Sequence, residues 1–293
     1  MKILVLGASG LVGDAFVHSE NSYEIIATYS NNKIQNDSFS SFKINLPQDW
    51  LKFKKLILKE KPEVVLNTMA YSNVDFCENN KEEVYELHVG ITEKIVRLCT
   101  QINAKMIFLS TDYVFDGKIG NYTEEDKPNP VNFYGKTKEE AEKIVLKNSK
   151  NLVIRTSLIY GSSDKVRFLK FVVNSLKDGK EIDAYDDIFN SATLVDELVN
   201  AILRSIEEDV NGIFHVVGSS CVSRYEFAKM IAKVFDLNES LIKSTSIKNF
   251  ELDATRPIKP CLDNSKASKI LGMNFSTIEE GIKYVFEQKL DVD

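Results

Sequence analysis

The chain has 293 residues, 43% of them hydrophobic and 27% charged, so it can form one large domain or two modest ones with a buried core. Its net charge of -6 and isoelectric point near 5.4 argue against a general affinity for nucleic acid or acidic membranes. No apolar stretch approaches the roughly 20 residues that cross a bilayer, and the N-terminus has the pattern of a strand rather than a signal peptide, so we expect a cytoplasmic protein.

The cysteines and histidines point away from a disulfide framework and from a metal site. The cysteines show no C-x-x-C spacing and lie in apolar or mixed segments, so we expect reduced, mostly buried thiols. They are Cys77, Cys99, Cys221 and Cys261. The three histidines are far apart and have no neighbouring cysteines, so no metal site is expected.

In the first half of the chain, short apolar runs alternate with longer helical patterns. This alternation predicts an α/β fold with a doubly wound parallel sheet of the Rossmann type, covered by helices on both faces. The predicted strands are residues 3–6, 24–28, 64–67, 106–110 and 152–155. The predicted helices are residues 10–19, 50–59, 81–102 and 135–147.

The first predicted strand runs into a glycine-rich turn that suits a pyrophosphate. Gly7 permits a tight exit from the strand, Gly10 lets backbone approach the phosphates, and Gly13 lets the helix pack against the sheet. The three-residue spacing differs from the G-x-G-x-x-G fingerprint, but the physical task is the same. The predicted cofactor-binding residues of this turn are Gly7, Ser9, Gly10, Leu11, Val12 and Gly13.

The residues at the end of the second predicted strand help to distinguish NADP(H) from NAD(H) as the cofactor. No acidic residue stands there to accept the adenosine ribose hydroxyls, whereas Ser30, Asn31 and Lys33 could donate to a 2′-phosphate. This pattern favours NADP(H), with NAD(H) as the alternative. Asn67 and Ala70, at the end of the next predicted strand and just after it, are expected to pass under the cofactor.

Three side chains further along form a predicted catalytic set. Tyr134 and Lys138 are four residues apart at the start of a helix, so they lie on one face, about 5–6 Å apart at Cβ. An adjacent ammonium is expected to lower the pKa of the phenol toward the range of general acid–base catalysis. Thr111, at a strand end, is expected to hydrogen-bond a substrate carbonyl. Tyr134 and Lys138 are also expected to contact the cofactor.

After about residue 160 the pattern becomes mixed and predicts a smaller α/β lobe that binds the substrate. We therefore divide the chain into a cofactor-binding Rossmann domain, residues 1–160, and a substrate-binding lobe, residues 161–293. The pattern leaves open whether some elements of this lobe belong to the main sheet. The predicted helices of this half are residues 167–177, 194–206, 224–235, 265–271 and 278–289, with a strand at 212–217.

These motifs together resemble the extended short-chain dehydrogenases/reductases, and more narrowly the dTDP-4-dehydrorhamnose reductase family. The likeness rests on residues 7–13, 67–78, 110–117, 134–138, 155–161 and 255–257. It implies reduction of a 4-keto sugar linked to a nucleoside diphosphate, giving dTDP-L-rhamnose. It also implies that Thr111, Tyr134 and Lys138 are catalytic and that Lys138 holds the nicotinamide ribose.

The resemblance further implies that Arg256 meets the substrate diphosphate, with a surface ion pair as the alternative. Tyr113 and Phe115 are predicted to line the substrate crevice, with core packing as the alternative. A nucleotide sugar is thus the expected binding partner, and the sequence is compatible with a homodimer.

The chain departs from the family pattern at Leu11, His88, Leu158 and residues 188–192, which weakens the prediction of the substrate. For His88, where the family usually has asparagine, we favour simple packing. Two alternatives therefore stay open. One is a non-catalytic protein similar to the regulatory subunit of methionine adenosyltransferase, and the other is a nucleotide-sugar epimerase or dehydratase.

Overall fold

The elements alternate between strand and helix along most of the chain. The computed structural model describes residues 1–34 and 38–290. The strands are β1 (Lys2–Leu6), β2 (Glu24–Tyr29), β3 (Ser40–Lys43), β4 (Val64–Asn67), β5 (Lys105–Thr111), β6 (Leu152–Thr156), β7 (Ile159–Tyr160), β8 (Ile182–Tyr185), β9 (Phe189–Ser191), β10 (Thr193–Leu194), β11 (Gly212–His215), β12 (Cys221–Ser223) and β13 (Ile242–Thr245). The α-helices are α1 (Leu11–His18), α2 (Trp50–Glu60), α3 (Val74–Asn79), α4 (Lys81–Tyr85), α5 (Thr92–Ile102), α6 (Phe133–Val145), α7 (Arg167–Lys177), α8 (Val195–Glu207), α9 (Arg224–Val234), α10 (Ser265–Leu271) and α11 (Ile278–Leu290). None of the described helices is long and apolar enough to span a membrane.

Seven strands form one parallel sheet in the order β11-β6-β5-β4-β1-β2-β3. Each neighbouring pair in this sheet is parallel, so every connection is a crossover over one face or the other. The strand order reverses between β1 and β4, and ligands bind in the crevice outside the carboxyl ends at such a point. The predicted doubly wound α/β fold is confirmed.

The two faces of the sheet bury separate apolar layers, because strands such as β1 and β4 have apolar side chains on both sides. One layer includes Phe16 of α1 and Ile202 of α8. The other includes Phe53 of α2 and Ile95 of α5. Helices therefore cover both faces and fix the sheet edge where the glycine turn lies.

The predicted helix over residues 81–102 is interrupted at its middle. A π-helical turn, residues 86–91, lies between α4 and α5 and includes His88. Such turns place one extra residue in a helix and occur frequently at functional sites. The amphipathic pattern predicted the helix but gave no sign of this turn.

The second half of the chain contributes to two layers. β11 pairs with β6, and α8 packs against α1, so this half supplies part of the main sheet and its cover. A separate apolar layer joins α7, α9 and α11 through residues such as Leu169, Phe227 and Ile282. The short strand pairs β9–β12 and β8–β13 were absent from the sequence predictions. The division at residue 160 stays a prediction.

One pair of cysteines corrects the sequence analysis. Cys221 of β12 and Cys261 form a disulfide across 40 residues of chain, so the prediction of four reduced thiols is wrong for these two. Spacing alone could not reveal this pair because the two segments meet only in the folded lobe. Cys77 and Cys99 are free and buried, as expected.

Candidate active site

A cleft with a volume of about 680 Å³ lies at the carboxyl ends of the central strands. Both halves of the chain line it, since Gly10 and Thr111 face Asn190 and Arg256 across it. A second cavity of about 330 Å³ shares Gly10 and Ala70 with the first and extends along the sheet edge toward β2. Together the two cavities form a long groove suited to an extended dinucleotide beside a second ligand.

The glycine turn is packed so closely that side chains do not fit. A Cβ atom at Gly13 would lie 2.4 Å from the Gly7 carbonyl oxygen, and a Cβ at Gly7 would lie 2.9 Å from Thr68 Oγ1. Gly7 also has a φ of +78°, which favours glycine. Gly10 caps α1, and Leu11 and Val12 begin it, so the positive end of the helix dipole points into the groove.

The predicted adenosine-side residues divide into those that reach the groove and those that do not. Ser9, Ser30, Asn31 and Ala70 line the smaller cavity, which has no acidic residue in its described lining. Lys33 is exposed and is absent from that lining. Asn67 is buried, and its Oδ1 accepts a hydrogen bond from the Met69 backbone N at 3.1 Å, so it shapes the loop that borders the groove.

Thr111, Tyr134 and Lys138 all line the larger cavity. Thr111 ends β5, and Tyr134 hydrogen-bonds its hydroxyl. Asn132 caps α6 by accepting from a backbone N–H of the first turn, which fixes where Tyr134 and Lys138 emerge. Lys138 Nζ donates to the Leu109 carbonyl at 2.6 Å and lies 4.0 Å from the centre of the Phe108 ring. The three predicted catalytic side chains therefore meet in one place.

A buried ion pair holds α6 against the sheet. Glu142, one turn beyond Lys138, accepts from Arg155 of β6 at 3.0 Å and 2.8 Å through both of its oxygens. Both side chains are almost fully buried, and Ser110 donates a further short hydrogen bond to Glu142. Such a bidentate pair fixes geometry as well as charge, so the helix that presents Tyr134 has little freedom to shift.

The electrostatics of the predicted catalytic set differ from the expectation. Burial raises the pKa of Tyr134, and its hydrogen bond with the Thr111 hydroxyl only partly opposes this shift. Burial lowers the pKa of Lys138 to about 7, although the carboxylate of Glu142 opposes the change. The Tyr134 pKa is therefore raised and not lowered as expected, because desolvation of the phenol is the largest cause of the shift. A phenol in this state keeps its proton at neutral pH.

Asp112 lies beside Thr111 and lines the same cavity. Its carboxylate accepts from Ser157 Oγ at 2.5 Å, Thr111 Oγ1 at 3.0 Å and Asn190 Nδ2 at 3.1 Å. Burial raises its pKa to about 6 despite these donors. Asn190 Oδ1, in turn, is buried without a hydrogen-bond partner among the described residues. The sequence analysis did not single out Asp112, but the structure places it in the lining of the cleft.

Three arginines, Arg167, Arg224 and Arg256, line the cleft and give it a positive wall. Arg256 makes a bidentate ion pair with Asp75 of α3, at 2.6 Å and 3.1 Å. Arg224, the first residue of α9, has no ion pair in the part of the chain that the structure describes, and its guanidinium lies 4.9 Å from the Phe168 ring. Tyr113 lies near both, and they oppose the burial that raises its pKa to about 12.

The sequence analysis missed Arg224 and misplaced Phe115. The Ser223-x-x-Glu226 capping box marks the start of α9, but nothing local shows that its first residue faces the cleft. Phe115 is fully buried, stacks on Tyr122 with 4.2 Å between ring centroids, and is absent from the cleft lining, so the prediction that it binds substrate is wrong. Arg256 and Tyr113 do line the cleft, as predicted.

A parallel doubly wound sheet, a glycine turn at its switch point and a convergent Thr–Tyr–Lys set define an extended short-chain dehydrogenase/reductase, an oxidoreductase class that uses NAD(P)H. Comparison with known proteins narrows this class. The chain belongs to the family described as RmlD substrate binding domain, whose model matches residues 1–290.

Individual relatives cover nearly the whole chain. A dTDP-4-dehydrorhamnose reductase from Aggregatibacter actinomycetemcomitans is 27% identical over 97% of this chain and 98% of its own length. The methionine adenosyltransferase 2 subunit beta of Xenopus tropicalis is 31% identical over 92% of this chain and 82% of its own. A crystal structure of a hypothetical dTDP-4-dehydrorhamnose reductase from Sulfolobus tokodaii superposes with a TM-score of 0.84 at 36% identity, over 94% of this chain and 97% of that one.

Proposed function

We propose that the protein is an NADPH-dependent reductase of a nucleotide-linked 4-keto sugar, with dTDP-4-dehydro-L-rhamnose as substrate and dTDP-L-rhamnose as product. The observation that supports this most is the meeting of Thr111, Tyr134 and Lys138 in a cleft that also includes the glycine turn. A regulatory protein would need the fold but has no use for these three side chains together.

The groove fits a dinucleotide. The turn at Gly7 and Gly13 leaves no room for side chains, so backbone N–H groups and the start of α1 would hold the pyrophosphate. Ser30 and Asn31 would donate to a 2′-phosphate, and no carboxylate in the described lining would repel it, which favours NADPH. When bound, the cofactor supplies the hydride.

The protein's own side chains would handle the oxygen of the substrate carbonyl. Thr111 would hold this oxygen by a hydrogen bond, and Tyr134 would donate its phenolic proton to the oxygen as negative charge develops there. Burial keeps the phenol protonated until that charge appears, which suits a reductase. Lys138, one helical turn beyond Tyr134 on α6, would hold the nicotinamide ribose.

The arginines would hold the diphosphate of the nucleotide sugar. A planar guanidinium binds two phosphate oxygens at once, and Arg224 makes no ion pair among the described residues, although the Asp112 carboxylate lies near enough to act on its charge. Arg256 is already oriented by Asp75 and would offer its remaining N–H donors. A cytoplasmic location and a homodimer stay predictions.

The test is NADPH oxidation, followed by absorbance, with dTDP-4-dehydro-L-rhamnose as substrate. The wild-type protein should consume one NADPH per sugar reduced, whereas an epimerase or dehydratase would consume none. Tyr134→Phe should lose turnover, and Tyr284→Phe, a change on the exposed face of α11, should retain it. Absence of turnover in the wild type, together with co-purification of a methionine adenosyltransferase, would instead favour the regulatory alternative.

A further inference from the structure

His88 lies directly behind the candidate catalytic tyrosine, and the proposed reaction gives it no task. It is only 2% exposed and belongs to the π-helical turn between α4 and α5. Its ring meets the Tyr134 ring edge to face, with 5.9 Å between the centroids. Simple packing would explain the burial, but it would not explain the polar contacts of both ring nitrogens.

The hydrogen bonds of His88 fix where its proton lies. The Tyr71 backbone N–H donates to Nε2 at 2.9 Å, so Nε2 has no proton. Nδ1 therefore has the proton and donates to Thr137 Oγ1 at 2.9 Å. The Thr137 hydroxyl in turn donates to the Tyr134 carbonyl oxygen at 2.9 Å. An unbroken chain of three hydrogen bonds thus joins the residue 70–71 loop to the first turn of α6.

The same contacts exclude a role for His88 in proton transfer. Burial, with a smaller contribution from the nearby ammonium of Lys138, lowers the pKa of the imidazole to about 3. A neutral imidazole has one donor and one acceptor, and backbone and hydroxyl groups occupy both. No lone pair or proton of the ring is left to exchange with the cleft.

We propose that His88 is a positioning residue: its neutral ring ties the loop that borders the cofactor groove to the helix turn that presents Tyr134. The inference rests on the proposed function. Ala70, next to Tyr71, lines both cavities. The His88 side chain therefore links the loop that borders the cofactor groove to Tyr134, the proposed proton donor. The distance between nicotinamide and phenol then depends on both nitrogens of this ring.

Three substitutions separate positioning from packing. Leucine at this position fills similar space and loses both hydrogen bonds, so His88→Leu should lower kcat by up to about 100-fold, the effect of a misplacement near 1 Å. The KM for the sugar should change far less, because the arginine wall is untouched. His88→Asn keeps one donor and one acceptor and should restore most of the lost kcat. Thr137→Val should lower kcat as His88→Leu does, and the double variant should lose no more than either alone.

A second readout does not depend on turnover. In the full-length protein, His88→Leu and Thr137→Val should speed hydrogen exchange of the amides in the first turn of α6, while His88→Asn should not. Equal kcat in the leucine and wild-type proteins, or equal loss in the leucine and asparagine variants, would overturn the proposal. Wild-type protein that reduces no sugar would refute the proposed function instead, and the exchange measurement would still decide whether His88 ties the two segments together.

Discussion

Replacement of Arg224 by methionine should weaken substrate binding without weakening the fold. The guanidinium is half-buried at the start of α9 and pairs with no carboxylate among the described residues, and burial lowers its pKa. Removal of this charge breaks no ion pair among the described residues and gives up only the attraction of Asp112, and the methionine stem can keep the contact with Phe168. The free energy of unfolding should therefore stay within about 1 kcal/mol of the wild type or increase.

Binding of the diphosphate, unlike the stability of the fold, should weaken. A hydrogen bond to a charged group contributes about 1.5–3 kcal/mol, so the Kd for dTDP should rise by about 10- to 150-fold in Arg224→Met. Arg256→Met should weaken both properties, because it leaves the Asp75 carboxylate without its ion pair. Loss of affinity alone would identify an arginine that only binds the ligand, whereas loss of both affinity and stability would identify one that also stabilises the lobe.

Titration calorimetry with dTDP and urea unfolding would measure the two quantities on the same variants. Arg204→Met, an exposed change at the end of α8, provides the matched control and should alter neither. A dTDP affinity in Arg224→Met that equals the wild-type value would refute the assignment. An equal loss of affinity in Arg204→Met would show that general charge, and not the cleft, attracts the diphosphate.

Three further predictions concern the turn, the lobe and the buried lysine. Gly13→Ala should weaken NADPH binding measured by fluorescence titration, because the new Cβ would meet the Gly7 carbonyl at 2.4 Å and shift the turn; unchanged affinity would contradict the role of the turn. Cys221→Ser should lower the free energy of unfolding by about 2–4 kcal/mol, and a reducing agent should have the same effect on the wild type but none on the variant. Burial lowers the pKa of Lys138 from 10.5 to about 7, so its unfavourable burial is present below pH 7 and fades as the pH rises toward 10. Lys138→Met should therefore gain stability over the wild type at pH 6, and the gain should shrink by pH 9.5; a gain that is constant with pH would contradict the buried charge.

The parts of the fold that follow from local pattern could be predicted from the sequence. The main parallel strands have apolar runs bounded by turns, and most helices between them have three- and four-residue periodicity, so these were found, whereas the short helix α3 was not predicted. β3 was missed because Ser40–Lys43 is a short edge strand with two exposed ends and one apolar residue. The pairs β9–β12 and β8–β13 depend on partners far along the chain, which no local pattern reveals.

The same limit applies to the site. Tyr134 and Lys138 share a helix face and Thr111 ends a strand, so their meeting followed from spacing and sheet geometry. Arg224 reaches the cleft only because the lobe folds back over the sheet edge. Phe115 shows the reverse error, since nearness to a catalytic residue in sequence does not fix the side of the chain on which an aromatic ring packs.

The proposed reaction is tested most directly by the fate of the transferred hydrogen. NADPH deuterated at nicotinamide C4, on the transferred face, should place one deuterium at C4 of the sugar for each NADPH consumed, as seen by mass spectrometry and NMR. Tyr134→Phe should still bind NADPH and should form no labelled sugar. Product that lacks the label, or full labelling in Tyr134→Phe, would contradict a reductase in which this tyrosine donates the proton.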